Sequence, residues 1–112
     1  MSGLGAEDQK IITLARSARA RVAAAEGAAV RDETGRTYAA AAVNLPSLRL
    51  SALRLAVAMA VSSGAARLEA AALVSDADEP DPGDLAVVRD VGRAAAVFHV
   101  GTDGAIRATL TV

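Results

Sequence analysis

The chain has 112 residues, of which 53% are hydrophobic, carries no cysteine and has a formal net charge of −1. That length suits one domain burying roughly 65% of its unfolded surface. The composition excludes disulfides and any cysteine-built metal or nucleophile site, and the near-neutral charge gives no general attraction to nucleic acid or anionic membrane.

Met1–Gly5 reads as a flexible start. From Ala6 to Ala25, apolar Ile11, Leu14, Ala15, Ala18 and Val22 recur at spacings of three and four, which predicts an amphipathic helix. Glu7 and Asp8 sit favourably in its first turn. Its polar side carries Lys10, Arg16, Arg19 and Arg21. Gly27–Arg31 and Arg36–Val43 are apolar runs around the turn Asp32-Glu33-Thr34-Gly35, a β-hairpin pattern. Asn44-Leu45-Pro46-Ser47 breaks that pattern.

Leu48–Ser63 predicts a second helix with Gly64 as its C-cap, charged only at Arg49 and Arg54. A helix apolar nearly all round is buried on several sides, so this one is expected at the centre of the domain. Leu68–Ser75 predicts a strand, Asp76–Gly83 an acidic loop with two prolines, and Asp84–Gly92 a short helix. Ala94–Val100 and Ala105–Val112 predict two strands around the turn Thr102-Asp103-Gly104. The order α-β-β-α-β-α-β-β predicts a single α/β domain over residues 1–112, its mixed sheet covered by helices on both faces.

The longest apolar stretch, Leu55–Val61, is too short to span a bilayer. Met1–Asp8 lacks a basic segment leading into an apolar run, so no secretory leader is expected and a cytoplasmic location is.

Several words in this order resemble cytidine deaminases. Gly27-Ala28-Ala29-Val30 is similar to the family's Val-Gly-Ala-Ala strand, and Thr34-Gly35-Arg36-Thr37-Tyr38 to its Asp-Gly-Lys-x-Tyr. Val43-Asn44 is what remains of an Asn-x-Glu-Asn loop. Ser51-Ala52-Leu53-Arg54-Leu55-Ala56, running on to Ala60-Val61-Ser62-Ser63-Gly64, keeps the spacing of the family's Cys/His-Ala-Glu-Arg-x-Ala helix and its Ala-Val-Ser-x-Gly end. Val74-Ser75-Asp76 resembles the next strand, and Pro82-Gly83-Asp84-Leu85-Ala86 stands in place of Pro-Cys-x-x-Cys. The resemblance spans roughly residues 10 to 110 and implies the family's three-layer α-β-α fold with a mixed five-stranded sheet.

It also implies a zinc site that these residues do not supply. Zinc deaminases hold the metal with three protein ligands and leave one position for the attacking water, while a glutamate moves the proton. The matching positions here are Ser51, Gly83 and Ala86 for the ligands and Leu53 for the glutamate. Glycine and alanine offer no donor, one serine hydroxyl cannot replace three ligands, and leucine carries no proton. No zinc or other cofactor is therefore expected. Arg54 survives, matching an arginine that neutralises thiolates in the family, and an unpaired buried guanidinium is costly. Its expected partner is Asp84, in an ion pair that replaces cross-linking by metal; the alternative is that Arg54 reaches solvent. Asn44, Arg54 and Asp84 together mark a vestigial nucleoside pocket.

Other residues weigh less. Asp76, Asp78, Glu79, Asp81 and Asp84 form an acidic run without EF-hand spacing, better read as a solvated loop than a cation site. His99, the single histidine, alternates with Phe98 and Val100 and reads as a surface or interface residue. Ser51 has no neighbouring base or Gly-x-Ser-x-Gly elbow. Lys10, Arg16, Arg19 and Arg21 suggest an RNA contact, weakened by the scarcity of aromatics.

The reading is a catalytically inactive cytidine deaminase-like protein serving as an oligomeric interaction scaffold, a homodimer or homotetramer with an RNA or ribosome link on its first helix. A non-catalytic nucleoside or base sensor and an active relative of the deaminases are the alternatives.

Overall fold

A computed structural model describes residues 4–112. The expected flexible start lies mostly outside the described residues. The first helix, α1, spans Ala6–Arg21 and buries Ile11, Ile12, Ala15 and Ala18. It stops four residues short of the expected Ala25 because Ala23 turns left-handed at φ 52°, which leaves Val22 60% exposed. The early stop brings Gly27 beneath the helix. A Cβ there would run into the Ala15 carbonyl oxygen and Arg19, so glycine permits the close crossing.

Strands β1 (Gly27–Asp32) and β2 (Thr37–Ala41) form the expected hairpin. The main sheet continues through β5 (Leu68–Val74), β6 (Ala96–Val100) and β7 (Ile106–Thr111) in the order β2-β1-β5-β6-β7. Only β5 and β6 pair in parallel, Leu73 opposite His99, and α3 (Pro82–Val91) makes the crossover between them. The predicted mixed five-stranded sheet is present.

Alternation along the strands sorts the core into two halves. Ala29, Ala70, Ala72, Val74, Phe98 and Val100 meet α1 on one face. Ala28, Val30, Ala71, Leu73 and Val97 face α2 (Ala52–Ser62) and Val88 of α3 on the other. The alanine-rich strands let the helices sit close. Leu53, Ala56, Val57 and Ala60 of α2 are buried, which makes it the central helix, as its apolar sequence predicts.

One expected element is corrected. Leu48–Leu50 is not the start of that helix but strand β4, paired with β3 (Val43–Leu45) in a separate two-stranded hairpin. Leu48 and Leu50 fit a period of two, Pro46-Ser47 makes the tight turn, and α2 begins only after Ser51 caps it. Arg49 therefore lies on β4 opposite Asn44, off the helix.

Candidate functional site

The N-termini of α2 and α3 converge on one carboxylate. Ser51 is the N-cap of α2, its hydroxyl accepting from the Arg54 N–H at 3.2 Å. Asp81 is the N-cap of α3, accepting from the Gly83 N–H at 2.6 Å. Asp84, in the first turn of α3, is 4% exposed. It accepts from the Ser51 hydroxyl at 3.0 Å and from Arg54 Nε at 2.7 Å on the same oxygen, Oδ1. The positive end of the α3 dipole adds to the stabilisation of this buried charge. Glu26 reaches the same region, accepting from the Ala52 N–H at 3.4 Å.

Arg54 keeps its side chain 46% exposed, so the pair is buried on the aspartate side and open on the arginine side. The guanidinium lies over Gly83, where a Cβ would collide with Arg54 Nη2. Any larger residue at position 83 would have to displace it. The structure thus brings together Ser51, Arg54, Gly83 and Asp84. Leu53 points away into the core at 0% exposure, and Ala86 is half-buried on α3. Asn44 is exposed on β3, and no hydrogen bond among the described residues joins it to Ser51, Arg54 or Asp84.

The acidic run is dispersed. Asp81 caps a helix, Asp84 pairs with Arg54, and Asp76 accepts from the Thr102 hydroxyl at 2.6 Å. Asp78 and Glu79 face solvent. Among the described residues no group of three or more acids and histidines converges as a metal site. The basic residues of α1 are divided as well. Lys10 and Arg21 lie eleven positions apart, about three helical turns, and share one side. Arg16 and Arg19 line a small cleft with Val74 and Thr102. Among the described residues no helix is long and apolar enough to cross a membrane.

Sequence reasoning misplaced His99. It is fully buried, not a surface residue, because β6 lies inside the sheet with both faces covered. Its Nε2 lies 3.0 Å from the Ser75 hydroxyl and its Nδ1 has no partner among the described residues. Burial, with the Arg107 charge, pushes the imidazole pKa below its usual value, against smaller opposing effects of the Ser75 backbone and Glu26. Asp32 was also missed as more than a turn residue. Buried at 2% exposure, it accepts from the Thr34 N–H and hydroxyl, the Arg36 N–H and the Tyr38 hydroxyl. Burial raises its pKa, but these hydrogen bonds outweigh it and hold the carboxyl below 3.8. An aspartate opening a turn was the available signal, since Asx turns begin that way. No sequence signal places Glu26 at the start of α2.

Comparison with known proteins fits this architecture. The Cytidine deaminase-like family model matches residues 4–104. The crystal structure of cytidine deaminase from Burkholderia pseudomallei superposes with a TM-score of 0.78 at 20% identity, covering 99% of this chain and 93% of that one. Cytidine deaminase from Mycobacterium leprae gives a TM-score of 0.68 at 20% identity, covering 92% of this chain and 91% of that one. No curated protein matches the sequence. The chain belongs to the cytidine deaminase-like family. At this identity the two solved structures speak for its fold.

Proposed function

We propose that this chain is a non-catalytic member of the family that works as a self-associating interaction scaffold. The observation that carries the reading is the Ser51–Arg54–Asp84 cluster at the joined helix N-termini, where the resemblance puts the family's zinc. The polar groups there are already engaged: Asp84 accepts from the Arg54 guanidinium, the Ser51 hydroxyl donates to Asp84 and accepts from the Arg54 backbone N–H, and Glu26 accepts from the Ala52 N–H. A cation beside Arg54 would meet like charge, and Gly83 and Ala86 provide no ligand atom. These residues do not fit zinc. Leu53, buried in the core, cannot serve as the proton carrier that the resemblance would put there.

The scaffold half of the reading draws on exposed apolar side chains. Leu45 and Leu48 on the β3–β4 hairpin are 54% and 48% exposed, and Met59 and Val61 on α2 are 38% and 49% exposed. Such surface suits self-association, most simply as a dimer. The division of Lys10, Arg16, Arg19 and Arg21 gives an RNA link less support than this apolar surface gives a second copy.

The test pairs native mass spectrometry with a cytidine turnover assay on protein expressed in zinc-supplemented medium. A mass that is a whole multiple of the bare chain, with no deamination, is the expected result. One zinc per chain, or uridine formed above the uncatalysed rate, overturns the non-catalytic reading. A monomer at all concentrations overturns the scaffold.

A further inference from the structure

Beside the ion pair, and sharing Glu26 and the α3 cap Asp81 with its surroundings, a cleft of about 640 Å³ opens between the acidic loop, α3 and the sheet face carried by β5, β6 and β7. The volume lies within the range of small-molecule sites. Its apolar walls come from Leu73, Leu85 and Leu110. Ser75 and His99 supply neutral polar groups, both at most 2% exposed. Its charged lining is acidic throughout, with Glu26, Asp78 and Glu79 among it, and no Lys or Arg contributes.

His99 stands in the wall of this cleft. A buried polar atom in a native fold almost always has a partner, and among the described residues its Nδ1 has none. In the tautomer that donates Nε2–H to Ser75 Oγ, Nδ1 is a bare acceptor. Burial keeps the ring neutral and so preserves that acceptor. Arg107, whose charge acts on the ring, is turned to Asp76 and to the carbonyls of Asp76 and Ala77.

We propose that this cleft binds a small organic cation, a primary amine on a compact apolar body, whose ammonium meets the cleft carboxylates while its body packs on Leu73, Leu85 and Leu110 in front of the neutral His99 ring. The charge of the lining selects against anions. The apolar walls select against simple metal ions, which need several convergent oxygens. The inference stands apart from the scaffold reading, since a binding cleft serves a catalytic or a non-catalytic chain equally.

The test is an NMR titration of the full chain with benzylamine, alongside benzyl alcohol and benzoate, neutral and anionic probes of the same shape. Saturable binding of benzylamine, with shifts at the His99 ring and along β6 and β7, is expected, and benzyl alcohol should bind about tenfold more weakly. The double variant Asp78→Asn/Glu79→Gln changes two exposed side chains and should fold normally. It should weaken benzylamine about fivefold and leave benzyl alcohol unchanged. Leu110→Trp, which puts a larger side chain on the cleft wall, should abolish both. Equal affinity for benzylamine and benzoate, shifts confined to other surfaces, or displacement of benzylamine by cytidine would overturn the proposal.

Discussion

Arg54 and Asp84, thirty positions apart, meet through Nε and Oδ1 at 2.7 Å, and the pair ties the start of α2 to the start of α3. The aspartate is almost fully buried while the arginine is nearly half exposed. Removing Arg54 therefore leaves a buried carboxylate with Ser51 as its remaining side-chain donor. Arg54→Ala should lower stability by about 1–2 kcal/mol, the exposed side of the guanidinium limiting the loss. Ser51→Ala removes the cap of α2 and a donor to Asp84, at about 0.5–2 kcal/mol. Because both residues share one carboxylate oxygen, a urea-unfolding double-mutant cycle should give non-additive costs. Additive costs would show that the three side chains do not act as a unit.

Gly83 is held small by Arg54. A Cβ at position 83 meets the guanidinium tip, a flexible end that can move but only by giving up Asp84. Gly83→Ala should destabilise the native chain by about 1 kcal/mol, and the same change in an Arg54→Ala background should cost much less. If its cost is equal in both backgrounds, the contact with Arg54 is not what excludes a side chain there.

Much of this was legible in the sequence. The succession of elements could be read because apolar runs bounded by turn residues mark Gly27–Asp32, Thr37–Ala41 and Ile106–Thr111. Arg54 and Asp84 stood out because a charge on an otherwise apolar helix requires a partner. The β3–β4 hairpin was hidden because Leu48 and Leu50 run directly into Leu53 and Leu55, so a period of two merges with a period of 3.6. Only Ser51, a favoured N-cap, marked the boundary. The burial of His99 was hidden because one histidine in a strand does not reveal whether the opposite face is covered. The near-continuous apolar run Ala94–Val100 was the better guide, since internal strands beside a parallel pairing are buried on both faces.

His99 gives stability a pH dependence in a defined window. Its folded pKa lies below the unfolded value of 6.5, so the unfolded chain binds more protons between the two values. Stability should therefore be full above pH 6.5, fall as pH drops from there toward the folded pKa, and level off below it. His99→Gln should lose this dependence over the same range. Urea midpoints measured from pH 8 to pH 4.5 decide the matter, and parallel pH profiles for the two proteins would rule out a buried neutral His99.

Asp32 acts in a lower window and in the usual carboxylate sense. Its folded pKa is below 3.8, so its contribution is complete above that value and is lost as pH falls through the folded pKa. The Tyr38 hydroxyl, 2.8 Å from Asp32, has its own pKa raised chiefly by this hydrogen bond. Tyr38→Phe should therefore bring the folded pKa of Asp32 back toward 3.8 and narrow the acid window. Following the Asp32 carboxyl by NMR in both proteins checks this, and an unchanged titration would remove Tyr38 from the network.

Leu45 and Leu48 lie opposite each other in the β3–β4 register, and both are about half exposed. Two leucines beside a tight turn add little to the fold of their own chain, since the hairpin stands outside the five-stranded sheet. Leu48→Glu should therefore change the stability of the isolated fold by no more than about 0.5 kcal/mol. On a surface that meets a second copy, the same glutamate brings a charge into an apolar contact and has no partner there. The expected result is a native-like fold whose dimer dissociates at least about tenfold more readily in sedimentation equilibrium. Met59→Glu on α2 serves as the comparison, because it tests the second exposed apolar feature independently. Dissociation by Leu48→Glu alone places the contact on the hairpin, and dissociation by Met59→Glu alone places it on α2. An oligomer that survives both substitutions would mean that neither surface joins the copies.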